Sequence, residues 1–150
     1  MRSNAKEVFK RIAERLDKVR RQAPKILANE GQKQFNTNFR NQSYQNLAWA
    51  NVKRREPGTF EYKYPKTKYL SRRTNPILIG KTRRLKNAVN RSIKSTNINR
   101  IVWGVYGSEG KYGYFHNYGI GQKMRRFMGN DQTLRRRLRM KYYQIFRTTK

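Results

Sequence analysis

A chain of 150 residues supports one modest core, and seven Phe, ten Tyr and two Trp supply bulky groups that a disordered chain usually lacks. With no Cys, one His and only eight Asp and Glu, the composition excludes disulfides and thiolate chemistry and leaves too few ligands for a zinc or calcium site. Against those eight acids stand 37 Lys and Arg, for a net charge of +29.

That charge is spread along the chain, at +7 for residues 1–50, +6 for 51–75, +7 for 76–119 and +9 for 120–150. No single tail accounts for it. A domain charged in this way repels its own copies and needs a polyanion, an acidic protein partner or both before it packs tightly. DNA nearby is expected, without sequence-specific reading, and a merely solvated basic surface is the plain alternative. No run approaches the roughly 18 apolar residues of a membrane span and the N-terminus lacks the apolar core of a signal peptide, so manufacture in a cytosol and no membrane partner are expected.

In chain order, Phe9, Ile12, Leu16 and Val19 recur at steps of three and four and predict a first helix. Pro24 suits the first turn of a second helix, on which Leu27, Gly31, Phe35 and Phe39 stack at four-residue intervals. Gly31 would let another group pack closely, and Trp49 anchors the end of this region. The two helices form a hairpin or project as an arm over residues 1–50, with an ordinary core face the better reading. Residues 51–75, with two prolines and no sustained period, read as a long basic loop. Its Tyr62, Tyr64 and Tyr69 alternate with Lys63, Lys66 and Lys68 after Arg54 and Arg55. The loop could stack on bases and grip phosphates, or order against a neighbouring subunit, the latter being preferred.

Leu85, Ala88, Val89 and Ile93 mark a third helix with Thr82 as its N-cap. Ile101, Trp103 and Val105 then alternate as a strand, Gly107–Gly110 supplies a turn, and Tyr112, Tyr114 and His116 share one face of a returning strand. A last helix spans Asp131 to Phe146, capped by Asn130 or Asp131. Leu134, Leu138, Tyr142 and Ile145 form its buried stripe, and Arg135, Arg136, Arg137 and Arg139 surround it. The expected fold is α+β: one domain over 1–150, whose core over 76–150 is a small antiparallel sheet with a central hairpin, about four helices in all flanking it.

Catalysis is not expected. His116 has no nucleophile elbow or acidic company, the acids are too scattered for nuclease metals, and no phosphate-cradling motif follows the glycines. His116 is read as structural, in a turn or at a subunit contact. No cofactor is called for.

The spacing Tyr112-Gly-x-x-His-Asn-Tyr-Gly119, followed by Arg125-x-Phe-Met-Gly129, resembles the signature of the virion-morphogenesis, or tail-completion, family of tailed bacteriophages. That family runs from a helix with L-x-x-T-G-x-L-x-x-S through a strand ending V-x-V-G to Y-A-x-x-H-x-x-G and R-x-F-L-G before a C-terminal helix. Leu78, Thr82, Leu85 and Ala88 take approximately the first pattern, with Leu78 one position further from Thr82 than L-x-x-T has it, Val102 to Gly104 the second, Tyr112, Gly113, His116 and Gly119 the third, and Arg125, Phe127, Met128 and Gly129 the fourth. Arg83 and Ala88 depart from the usual Gly and Ser.

The resemblance implies a small α+β subunit that multiplies, six or twelve copies at a time, into a ring at the neck or upper tail. There it would complete the tail or join head to tail around the DNA channel. Portal, adaptor and tail proteins of the virion are the implied partners, with DNA contacted non-specifically. Assembly contacts are expected from Tyr112, His116, Tyr118, Arg125 and Phe127, with Arg125 the foremost candidate for an inter-subunit or phosphate contact. DNA or acidic-partner contacts are expected from Arg54, Arg55, Tyr62, Lys63, Tyr64, Lys66, Lys68, Arg135, Arg136 and Arg139. A non-specific nucleic-acid-binding protein acting on packaged DNA or RNA is the competing expectation.

Overall fold

One helix, α1, runs unbroken from Ala5 to Asn41 with Pro24 inside it, where the sequence predicts two helices. Proline removes a single backbone bond, that from residue 24 to the Arg20 carbonyl, at a cost of about 3 kcal/mol. Burial on either side outweighs it: Val19, Ala23, Ala28, Gly31, Phe35, Asn38 and Phe39 all point inward at helical spacing. The predicted stripe is covered only from Val19 onward; Phe9 is 71 % exposed, and Ile12 and Leu16 are exposed as well.

The computed structural model describes residues 4–64, 76–79 and 83–149. Over these the chain is α+β, with five α-helices and two small antiparallel two-stranded sheets. After α1 come β1 (Ser43–Tyr44) and β2 (Leu47–Ala48), a 3-10 turn at Lys53–Arg55 and the short α2 (Phe60–Lys63). The rest comprises α3 (Arg84–Val89), β3 (Ile93–Thr96), β4 (Ile101–Trp103), α4 (Gly107–Tyr118) and α5 (Gln132–Thr148). The predicted loop thus carries two short helical turns, while Lys66, Lys68 and Tyr69 lie outside the described residues, as does Thr82. Arg83, with φ 53, occupies the N-cap of α3. Ile93, predicted to close that helix, opens β3 instead.

The predicted hairpin is the main revision. β4 pairs backward with β3, through Ile93↔Trp103, Ser95↔Val102 and Thr96↔Ile101, and Gly107–Tyr118 is a helix rather than a turn and returning strand. Asn97 closes the β3–β4 turn, its side-chain oxygen accepting from the N–H of Asn99 and Arg100.

These elements make two compact units, neither continuous in sequence. Met1–Lys33, Ile93–Trp103 and Asn130–Lys150 make the first. Here Val19, Ala23 and Ile145 form a buried cluster with Ile26 and Leu27 against it. Trp103 donates its indole N–H to the Ala28 carbonyl at 3.0 Å, and a Cβ on Gly31 would lie 2.4 Å from its ring. Gly31 is the close approach its sequence position suggested. Asp131 caps α5 by accepting from the Leu134 N–H at 2.7 Å. Leu134 and Ile145 of the predicted stripe are buried, while Tyr142 is 41 % exposed. Glu30 is ion-paired with Arg137 and Lys33. Burial would raise its carboxyl pKa, but the Arg137 hydrogen bond and the charges of Arg137, Lys33 and Lys141 pull it below the usual value.

Gln34–Ser92 and Gly104–Gly129 make the second unit. Phe39, fully buried, packs edge-on to Trp49 at 5.6 Å and against Phe127 at 5.0 Å between ring centroids. Leu85 and Val89 of α3 are buried with them.

Candidate assembly surface

α4 turns an unusual face inward. Its buried residues are Gly113, His116 and Asn117, small or polar side chains at helical spacing, and its bulky ones, Tyr112, Tyr114, Phe115 and Tyr118, are each 46–56 % exposed. Gly113 is what permits this, since a Cβ there would meet Leu85 and Phe127 at 3.0 Å. The helix backbone itself packs on the core. Gly119, in the left-handed region at φ +73, ends the helix, and the Ile120 N–H closes the last turn on the Phe115 carbonyl.

The polar groups beneath α4 hold the R-x-F-M segment. Asn117 accepts two backbone N–H groups through one oxygen, from Phe127 at 3.0 Å and Met128 at 3.1 Å. The His116 carbonyl accepts from the Arg125 N–H at 2.8 Å. From the other side Asn38 donates to the Phe127 carbonyl at 3.0 Å, and the Trp49 indole donates to the Arg126 carbonyl at 2.7 Å. The two sequence motifs therefore close on one another as a clasp.

Arg125 is inside this clasp. Its guanidinium donates to the carbonyls of Ala50 at 2.9 Å, Asn51 at 2.8 Å and Lys123 at 3.3 Å, and the residue is buried. In this arrangement its nitrogens hold the chain's own backbone, whereas the sequence reading offered Arg125 for an inter-subunit or phosphate contact. Phe127 is likewise interior. His116 is buried, and its Nδ1 has no hydrogen-bond partner among the described residues. Burial, with the nearby Arg125 charge, lowers its pKa to about 4, so the ring is neutral near pH 7.

Tyr112 and Tyr118, by contrast, remain at the surface as predicted contact residues. Tyr112 stacks edge-on to the buried His116 at 4.5 Å, and Tyr118 lies 4.8 Å from the exposed Tyr114. The predicted charged contacts fall in both units. Arg135, Arg136 and Arg139 are exposed on α5, with Arg135 donating to Asn130. In the second unit Arg54, Arg55 and Tyr62 are half-buried, Lys63 and Tyr64 are exposed, and Tyr64 packs on Phe60 at 5.0 Å. Asn117 stands inside the first motif but nothing in sequence marks it or Asn38 as holding the clasp, because a buried amide is indistinguishable by type from a solvated one.

Among the described residues no group of three or more His, Cys, Asp or Glu is placed to hold a metal, and no helix is long and apolar enough to cross a membrane. Compared with protein-family models, curated proteins and solved structures, the chain matches none.

Proposed function

We propose that this protein is a structural virion component of a tailed phage, forming a ring at the neck or upper tail that completes the tail or joins head to tail around the DNA channel. The observation that supports it best is the clasp. The Y-G-x-x-H-N-Y-G and R-x-F-M-G motifs, on which the family resemblance rests, pack together and present the aromatic face of α4 outward on a rigid base. A half-exposed row of aromatics is the composition of a protein contact. The excess positive charge supplies the second half of the reading, because a ring of such subunits is stable only against DNA or acidic neighbours.

Purified particles should contain the protein at a fixed multiple of six or twelve, measured by quantitative mass spectrometry or imaging. Replacing Tyr112 and Tyr118 together by Asp should abolish incorporation while leaving the monomer folded. Absence from particles, or incorporation at no fixed ratio, would sink the proposal.

The exposed arginines of α5 favour one other reading, a non-specific nucleic-acid binder. Such a protein would bind oligonucleotides as a monomer or dimer, with affinity falling steeply with salt and indifferent to Tyr112 and Tyr118.

A further inference from the structure

Within the first unit, α1, the β3–β4 hairpin and α5 border an open cleft of about 550 Å³. Its apolar lining comes from Leu27 of α1, Ile101 to Trp103 of β4, and Leu134 and Leu138 of α5. All three residues of β4 line the cleft, and among the described residues β4 is paired on one edge only, with β3. Strand edges of this kind hold backbone N–H and C=O groups that an incoming extended chain can use.

The margins are cationic. Arg20 and Arg100 flank the cleft, and an adjoining hollow of about 480 Å³, which shares Arg20 and Pro24 with it, adds Arg21 and Lys25. Asp17 is the one acid there, and it is already paired with Arg21 at 2.7 Å. Arg20, Lys25 and Arg100 have no carboxylate partner among the described residues.

We propose that this cleft binds an extended acidic segment of another protein, one whose carboxylates alternate with large apolar side chains. Apolar anchors match the lining, and carboxylates match the unpaired cations beside it. Backbone pairing to β4 would set the register. A second copy of this chain fits poorly, since each copy carries +29 and its few acids stand among more numerous cations. The cleft uses residues apart from the α4 surface, so this inference and the virion reading fail or succeed separately.

The test is fluorescence anisotropy of the full chain with a short labelled peptide of alternating Glu and Leu. Two comparators replace its Glu by Gln or its Leu by Ser. The Glu-Leu peptide should bind at least about tenfold more tightly than either comparator. Leu138→Glu in the lining, and Arg20→Glu with Arg100→Glu at the margin, should each weaken it by about tenfold or more. Arg136→Glu with Arg139→Glu makes the same charge change outside the cleft and should cost less than about threefold. Should Leu138→Glu fail to fold, Tyr142→Glu tests the same lining at a position already 41 % exposed.

Three results would overturn the proposal. One is no binding of the Glu-Leu peptide to the native chain. Another is an equal loss from the Arg136 and Arg139 reversals, which would mean general charge attraction. The third is displacement of the peptide by a single-stranded oligonucleotide whose own binding is lost in Leu138→Glu, which would make the cleft a nucleic-acid site.

Discussion

Asn117 positions a whole segment with one carboxamide oxygen. Leucine there would fill similar space but leave the N–H groups of Phe127, buried, and Met128, partly buried, without their acceptor. Asn117→Leu should therefore cost about 2–4 kcal/mol, the sum of one unmade buried bond and one unmade partly buried bond. Urea unfolding measures it, and a change under about 0.5 kcal/mol would show that the clasp does not hold the segment. His116 provides a pH signature. A histidine with a folded pKa near 4, below its unfolded value near 6.5, is kept neutral by the fold, so the unfolded chain binds the proton first. Stability is then full above about pH 6.5 and falls as the pH drops toward 4, by up to about 3 kcal/mol. Glu30 and Glu109 have lowered pKa values, so the stability they contribute is lost only below their ordinary 4.5. Unfolding midpoints between pH 4.5 and 6.5 thus isolate the histidine, and His116→Gln should flatten that slope. A slope that survives in His116→Gln would assign the titration elsewhere.

Among the elements, α1 and α4 show how far local pattern reaches. Gly31 was legible as a small residue in an otherwise bulky stripe, and the ring of Trp103 fills the space it leaves. Gly31→Ala should destabilise the protein. Overpacking costs about 1–3 kcal/mol, and the gain of about 1 kcal/mol from better helix propensity offsets only part of it. A thermal melt decides the sign, and a stabilised Gly31→Ala would mean that Trp103 is packed elsewhere. The α4 segment was misleading for a definite reason. Its aromatics alternate with smaller residues and read as a strand, whereas its helical period lies in Gly113, His116 and Asn117, which hydrophobic periodicity does not register. As a helix the segment lays Gly113 against Leu85 and Phe127, where a Cβ would lie 3.0 Å from both side chains.

For the whole molecule, charge dominates. Eight carboxylates cannot neutralise 37 cations, so self-repulsion opposes folding at low salt. Adding salt shortens the range of that repulsion from about 10 Å at 0.1 M to about 3 Å at 1 M. The melting temperature should rise by roughly 3–6 °C between 0.05 and 0.5 M NaCl, equivalent to roughly 1–2 kcal/mol. Scanning calorimetry across that range checks it, and a flat or falling melting temperature would show that the cations do not repel one another in the folded state. The binding to DNA or acidic partners that we propose would weaken over the same range, so the two effects have opposite signs with added salt.

By itself the sequence determined the α+β class, the excess of positive charge, a cap at Asn130 or Asp131 and a small residue in the stripe at Gly31, because each is written in composition or in the pattern of a few neighbouring positions. Only the tertiary structure decided that residues 5–41 form one helix, that Gly107–Tyr118 is helical, and that Arg125 faces inward. Two of the carbonyls that hold Arg125 lie 75 and 74 positions earlier in the chain. No local pattern around Arg125 could identify those carbonyls, and an arginine with acceptors is structural where one without them would be free for a partner.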